Sequence, residues 1–503
     1  LQAEHIMECH SAYRYMSNWG VIENHGLFEI GVCLPQSEKT KQFIAFAVKN
    51  LEVQVRMQIM PDGVHWEQSP MYHNEVLHCL LDVILLAKRN DIALPDVILR
   101  QTEKMAMADV AWLKPDHHIL MMGDSDDVDV RDRISVAAYL FLNPVLRFGG
   151  FDRLDYESIW DLGMKAGEEY AGMERREPDF TSLFLEHSGN TYFRSDWSER
   201  ANFLHLHSGT MGAGHGHSDK LHIDLVVNGE DVLMDGGRYT YVSGPKRFSY
   251  KDPSGHNTIT VDDLPFTVCK DSWECSKLSQ PVKENFRCTK LAEFAQAGQL
   301  GYMDLPGGVY VNRKAVYIKP DLYVLADEMY TGDRHTYQQY FHFNNHGTVT
   351  QNAPGEKKFP CVVYRGKMAE ADFYFVSAQV KAELKSGHIA RHYNVEEENT
   401  VCKVTKQGEG FTSLITVIDA QPGRPLSIEK LPVRSALKQT DYPETMAEAL
   451  KITAGEKEYV VILCHQEVNS PTDLVEADGC MGYGNVIVFD KAGDVLVGDV
   501  LNW

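Results

Sequence analysis

The stretch EPDFTSLFLEHSGNTYFR, Glu177–Arg194, decides the fold. Pro178 stops whatever precedes it. After it, Ser182–Leu185 and Thr191–Arg194 are short runs rich in aromatic and β-branched residues, separated by the turn-forming His187-Ser188-Gly189-Asn190. Upstream, apolar residues recur at helical spacing: Phe43, Phe46, Ala47, Leu51 and Val55 within 43–59, and Val76, Leu77, Leu80, Val83, Ile84 and Ala87 within 75–87. Ser135–Phe141 and Ser158–Ala171 repeat the pattern, with Pro/Gly/Asp punctuation between the pieces. Downstream, the short β-rich runs continue: Leu221–Val227, Val232–Met234, Thr258–Val261, Val309–Val311, Ala315–Ile318, Leu322–Ala326, Cys361–Tyr364, Phe373–Val376, Ser413–Asp419, Tyr459–Cys464 and Val486–Phe489. The spacing predicts an α+β protein: stacked helical hairpins over residues 1–178, then a large antiparallel β-sandwich over 179–503.

Composition narrows the function. The chain has 503 residues, 71 acidic and 49 basic side chains and a formal charge of -22. The acidity is spread evenly, with 29 acidic and 17 basic residues in 1–180 and 42 and 32 in the remainder. A nucleic-acid partner would call for a basic surface, so none is expected. A polyanion must instead be met by a local site. The longest apolar run, near Val76–Ala87, is interrupted by His78 and Asp82 and is too short to cross a membrane. None of the 10 cysteines forms a CxxC pair, which argues against a zinc ribbon or a thioredoxin-type motif. The sequence opens Leu-Gln-Ala-Glu-His, with no charged segment leading into an apolar one, and is taken to begin inside a longer chain.

Histidine is the densest chemical signal. Seven lie between His187 and His256, where the chain average of 21 in 503 would place about three. The centre, GTMGAGHGHSDK, is rich in glycine, which lets backbone approach a ligand. His217, Asp235 and His256 offer two nitrogens and an oxygen, a set suited to Zn²⁺ with a fourth position for water. Spacing alone equally admits histidines that only hydrogen-bond within a polar loop. A second group is helical. His25 and Glu29 are i,i+4 neighbours. Pro70 suits a helix start with Ser69 as its N-cap. Tyr72 then falls in a first turn, where partial positive charge lowers a phenol's pKa from about 10. Ordinary capping around a core tyrosine is the simpler account of these residues on their own. The acidic run GDSDDVDVRD, 123–132, lacks the glycine and terminal glutamate of an EF-hand and fits a solvated turn.

Taken together, the ordered motifs NHGLFE, DGVHWEQSPMYH, GDSDD, RSDW, GHGHSD, LMDGGRYTY and HNTITVD, over roughly residues 15–265, resemble the heparinase II/III-like polysaccharide lyases. The resemblance implies an incomplete (α/α) toroid followed by a β-sandwich, with only 71 residues ahead of Tyr72 where the family has a longer run of helices. It implies β-elimination on an acidic, uronate-containing polysaccharide, most of all one of heparin or heparan sulfate type, in a periplasmic or otherwise exported setting, although the cysteines fit a cytoplasmic one equally well. It assigns Tyr72 as the main acid/base, His25 as a second proton-transfer group, Asn24 as the group neutralising the uronate carboxylate, and His215 as the sandwich-domain histidine entering the cleft. Glu29, placed to orient His25, and Arg238 and Tyr239, placed beside Asp235, become substrate-side residues. His217, Asp235 and His256 become ligands of a structural Zn²⁺. Arg194 and Asp196 read as a structural pair at the domain interface. Two other functions fit the same residues. A zinc hydrolase would use a carboxylate base such as Asp219 or Asp224, and a carbohydrate-binding protein would keep the fold without turnover.

Overall fold

The computed structural model describes residues 1–353, 355, 357–491 and 496–502. The helical part consists of Gln2–Cys9, Asn18–Cys33, Glu38–Gln58, Pro70–Arg89, Asp96–Trp112 and Arg131–Phe141, followed by the short Pro144–Gly149, Tyr156–Leu162 and Met164–Ala171. Local chemistry sets their ends. Ser37 and Thr40 form a reciprocal capping box at the start of Glu38–Gln58. Gly163, with φ of +91°, breaks the predicted Ser158–Ala171 helix into two. Pro70 opens Pro70–Arg89 as its spacing predicts, but Ser69 does not cap it. The Ser125 hydroxyl, from the 123–127 loop, accepts from the Met71 N–H at 3.1 Å and meets the Ser69 hydroxyl at 2.9 Å, so a distant loop caps this helix. Asn18–Cys33 packs on Glu38–Gln58 and Pro70–Arg89, and Pro70–Arg89 packs on Asp96–Trp112 and Arg131–Phe141. Leu27, Leu51, Leu77, Ile84, Ile98 and Trp112 fill the shared core.

The first strand is Leu183–Leu185. The main sheet runs antiparallel through Asn190–Arg194, Phe203–His207, His222–Val227 and Glu230–Leu233, and joins the long strands Leu322–Phe343 and Val395–Asp419. Its inward faces enclose Leu204, Ile223, Phe341 and Phe373. A second sheet, Leu426–Leu431, Ala447–Ala454, Lys457–Cys464, Val486–Asp490 and Val497–Asn502, packs Leu450, Val461 and Val488 against Val316, Val324 and Val417 of the first. The expected run of uniformly short strands is corrected here. Leu322–Phe343 has 22 residues and Val395–Asp419 has 25. Their pairing shifts register between Tyr330 and Arg334, where residues 331–333 stand exposed or half-buried, and this polar break hides the continuity of the strands.

The two parts are bolted together beside the helix start at Pro70. The Gln68 amide donates to Ser188 O at 2.9 Å, the Ser188 N–H donates to Asp62 at 2.8 Å, and the Asp124 N–H donates to His215 O at 2.9 Å. Arg194 donates to Leu113 O and lies over the Trp197 ring at 4.2 Å, whereas Asp196 accepts from the Ser195 hydroxyl and the Ser198 N–H within its own turn. No helix among the described residues is long and apolar enough to cross a membrane.

Candidate active site

Tyr72, the third residue of the Pro70–Arg89 helix, projects toward the sheet. Its ring stacks on His215, with centroids 3.5 Å apart and planes 15° from parallel. Its hydroxyl meets that of Tyr241 at 3.0 Å. Tyr241 in turn accepts from the Arg238 guanidinium, which also donates to both oxygens of Asp126 at 2.7 and 3.0 Å. Arginine has no acceptor, so it donates to the Tyr241 oxygen; either hydroxyl can donate across the Tyr72–Tyr241 pair, and once Tyr72 has given up its proton only the Tyr241 O–H can donate to it. Burial pushes the Tyr72 phenol up, partly offset by the Tyr241 hydrogen bond and the Arg238 charge. The lowering expected from the helix terminus is therefore overturned: desolvation outweighs the partial charge.

His215 is fixed from the other side. Its Nδ1 lies 3.0 Å from Asp124 Oδ2. A carboxylate only accepts, so Nδ1 carries the hydrogen, and in the neutral ring Nε2 keeps its lone pair. Asp124 is fully buried and is the hub of the site. It also accepts from Arg247 through both oxygens and meets His217 Nε2 at 2.9 Å. Burial alone would raise its pKa, but the hydrogen bonds of His215 and His217 and the Arg247 charge hold it well below the usual carboxylate range. The solvated-turn reading of 123–132 is corrected by this arrangement. Asp124, Asp126 and Asp127 turn inward to meet Arg247, Arg238 and Lys114, whereas Asp129 and Asp132 pair locally, with Arg131 and Arg133.

The remaining predicted residues divide. Asn24 is completely buried between helices, donating to Gly20 O at 2.7 Å and accepting from Asn50 at 3.3 Å, so its amide is spent on packing. His25 faces Glu29 at 3.5 Å and Asp82 at 3.4 Å. Asp82 lies ten residues beyond Tyr72 on the same helix, about 15 Å along its axis. The structure thus brings neither Asn24 nor the His25–Glu29 pair to Tyr72. Burial would lower the His25 imidazole, yet Asp82, Cys79 and Glu29 raise it to about 10. Tyr239 stacks on Tyr250 at 5.9 Å, with Lys246 over its face, one step away from the Tyr72 chain. Sequence reasoning missed Tyr241, two residues past Tyr239, and Asn18, whose amide donates to Glu67 at 3.1 Å where the Asn18–Cys33 helix begins. The charge of Glu67 is felt by both Tyr72 and His215, and burial raises its own pKa. Trp273, packed edge-on to His215 at 5.3 Å and half exposed, adds flat apolar surface beside the pair.

Directly beneath, ligand atoms of His217, Asp235 and His256 lie within 4.8 Å of one another, all three residues buried. His256 Nδ1 meets Asp235 Oδ2 at 2.8 Å, leaving its Nε2 and the His217 Nδ1 buried without hydrogen-bond partners. Two buried imidazoles and a carboxylate whose ligand atoms converge this closely, with unpartnered nitrogens among them, fit a divalent metal of the zinc class. Burial, which outweighs Asp124, lowers His217 to about 4 and keeps it in the neutral form a metal requires. Around this set, His222 lies 3.6 Å from Asp235 and 3.2 Å from Asp224, an outer layer that orients inner groups.

A helical layer on a β-sandwich, closed around a stacked tyrosine–histidine pair with a buried His₂Asp set below, defines a two-part architecture with its site where the parts meet. Residues 1–144 match the profile described as Heparinase II/III N-terminus, and residues 178–425 match Heparinase II/III-like, C-terminal. The chain belongs to the heparinase II/III-like family. It is similar to the heparin-sulfate lyase of Pedobacter heparinus, 25% identical over 292 residues, covering 54% of this chain and 41% of that one. It is also similar to the heparin-sulfate lyase of Bacteroides thetaiotaomicron, 22% identical over 339 residues, covering 63% and 45%. The chain thus spans less than half the length of these curated relatives. Among solved structures, heparan sulfate lyase HepC from Pedobacter heparinus shares its fold, with a TM-score of 0.72 at 17% identity, covering 93% of this chain and 69% of that one.

Proposed function

We propose that the protein is a polysaccharide lyase that cleaves a heparan-sulfate-like, uronate-containing glycan by β-elimination. The observation that carries the reading is the Tyr72–His215 stack, because it juxtaposes a protonated phenol with an imidazole whose Nε2 is free. Elimination needs both an acid and a base. With the substrate seated, His215 Nε2 takes the C5 proton of the uronate. The electron pair left on C5 forms the C4–C5 double bond as the C4–O4 bond breaks, and the departing O4 takes the Tyr72 proton. The resulting Tyr72 oxygen is held by the Tyr241 O–H and, through it, by Arg238. The Asn18 amide, donating to Glu67 at 3.1 Å at the start of its helix, is placed to offer a hydrogen bond to the uronate carboxylate, whose neutralisation makes the C5 proton removable. The names of the curated relatives support heparan sulfate as the first polymer to test. In this reading His217, Asp235 and His256 would hold Zn²⁺, which would help fix the loop that carries His215.

The zinc-hydrolase reading is less well supported. His217, Asp235 and His256 are 1%, 0% and 0% exposed, with no opening for a water nucleophile and a glycan together. Asp224 is engaged between His205 and His222, and Asp219 lies against His207. The test is an ultraviolet assay on heparan sulfate, heparin, chondroitin sulfate, hyaluronan and alginate. A 4,5-unsaturated uronate absorbs there and a hydrolysis product does not. The expected result is absorbance on a heparan-type polymer that falls by about 10²–10⁴-fold in Tyr72→Phe. New reducing ends without absorbance would overturn the lyase reading in favour of a hydrolase. Binding without either signal would leave a carbohydrate-binding protein.

A further inference from the structure

We propose that Cys269 and Cys275 form a disulfide that locks the hairpin carrying Trp273 against the Tyr72–His215 site. The two cysteines are directly opposed Cα partners in the two-stranded pairing of Val268–Cys269 with Cys275–Lys277. Their sulfurs lie 3.1 Å apart, so the side chains already point at each other. Neighbouring antiparallel strands hold opposed Cα atoms about 4.5–5.5 Å apart, inside the range a disulfide bridges without backbone movement.

The loop they would close, 270–274, is built to position one residue. Asp271 accepts from the Trp273 and Glu274 N–H groups at 2.7 and 2.8 Å, and the Lys270 N–H donates to Glu274 O at 2.8 Å. The neighbouring Ser272 ties the loop to the site. Its hydroxyl donates to Tyr241 O at 2.8 Å, and its carbonyl accepts from buried Lys251, which also donates to Gly214 O. Trp273 then lies edge-on to His215 and 5.2 Å from the Tyr241 ring. It also covers Gly214, where a Cβ would come within 2.9 Å of the indole. The indole is nevertheless 52% exposed, so it presents one face to whatever enters the site. The strand pairing is only two and three residues long, so a covalent link is the element that would hold this loop's geometry.

The chemistry balances with a disulfide oxidant such as oxidised glutathione. The Cys275 thiol sits within hydrogen-bond distance of the Cys269 thiol, which lowers its pKa and favours it as the attacking thiolate. It attacks one glutathione sulfur and expels one glutathione thiolate. Cys269 then attacks the Cys275 sulfur of the mixed disulfide and expels the second. Two protein thiols are oxidised, one glutathione disulfide is reduced to two thiols, and the two protons pass to them.

The protein is equilibrated in reduced or oxidised glutathione, alkylated, and its peptides are mapped by mass. The expected result is a Cys269–Cys275 cross-link in the oxidised sample, both residues alkylated in the reduced one, and no cross-link in Cys275→Ser. Iodide quenching assigned to Trp273, by difference from Trp273→Phe, is expected to change between the two states of the wild type and to stay constant in Cys275→Ser. Full alkylation of both cysteines after oxidation would overturn the link. A cross-link with unchanged Trp273 quenching would overturn its control of the hairpin. Neither readout uses turnover, so failure here is distinguishable from failure of the lyase reading.

Discussion

Asp124→Asn is the most discriminating perturbation, because Asp124 serves stability and chemistry through different partners. Arg247 is 0% exposed and gives two guanidinium nitrogens to this one carboxylate, at 2.5 and 2.8 Å. Removing the negative charge leaves Arg247 buried and uncompensated, a change of about 3–5 kcal/mol. That is a large share of the roughly 5–15 kcal/mol by which a domain is stable. Separately, His215 loses the acceptor that fixes hydrogen on Nδ1. An amide in place of that oxygen donates toward the ring and favours the other tautomer, so kcat should fall by about 10²–10⁴. Arg247→Met separates the two effects: it removes the buried cation yet leaves the Asp124–His215 contact, so stability should fall while kcat stays within about tenfold. The sign of the pH effect follows from the folded carboxyl lying below its unfolded value near 3.9. Its stabilisation is fully present above that value and is lost as pH falls below it. Urea unfolding between pH 3 and 7 should therefore show a shallower acid limb in Asp124→Asn. The assays are urea denaturation and initial rates of ultraviolet absorbance at a temperature where every variant is folded. A folded Asp124→Asn with wild-type kcat would refute the assignment of His215 orientation to Asp124.

Other outcomes follow from the same geometry. Tyr241→Phe keeps the ring packing but removes the hydrogen bond to Tyr72; initial-rate kinetics should show kcat down by about tenfold or more with KM little changed. Zinc titration of metal-stripped protein should raise Tm, by about 4 kcal/mol of stability at a thousandfold excess over Kd, and His256→Ala should abolish that response in a thermal melt. His25 is raised to about 10 against an unfolded value near 6.5, so its contribution is complete below pH 6.5 and lost as pH rises through 10. Melts across that window should slope downward in the wild type and more gently in His25→Gln, while kcat of His25→Gln stays near wild type; a large loss of kcat would return His25 to the reacting centre.

The sequence was most legible where one physical rule dominated. The helices around Leu51 and Leu77, and the change of period after Pro178, are read from apolar spacing because one face of each element packs on a single core. The long strands were less legible, since residues 331–333 stand out of the core within an otherwise buried strand and interrupt its apolar pattern. Tyr72, His215 and the His217–Asp235–His256 set could be named from their motifs. Their partners could not, because a carboxylate's burial is a property of what converges on it. Asp124 looks like Asp129 in sequence, yet one is buried by Arg247, His215 and His217 and the other pairs only with its neighbour Arg131.

Asn24 and Asn18 carry the same lesson into mechanism. Both lie on one helix, six residues apart, and nothing in their side chains distinguishes them. Position along the helix decides. Asn18 sits in the first turn after its Ser17 cap and donates to Glu67, three residues before the helix that bears Tyr72. Asn24 lies further along, facing Gly20 and Asn50 inside the helical core. If the amide that meets the uronate is the one at the helix start, Asn18→Ala should lower kcat by a factor of ten or more while the fold is kept. Asn24→Ala should act the other way, lowering Tm because the buried Asn50 Nδ2 loses its acceptor, while the remaining folded enzyme turns over normally. Parallel melts and initial rates on the two variants read this directly, and the reverse pattern would move the carboxylate-binding end of the cleft from the helix start to its interior.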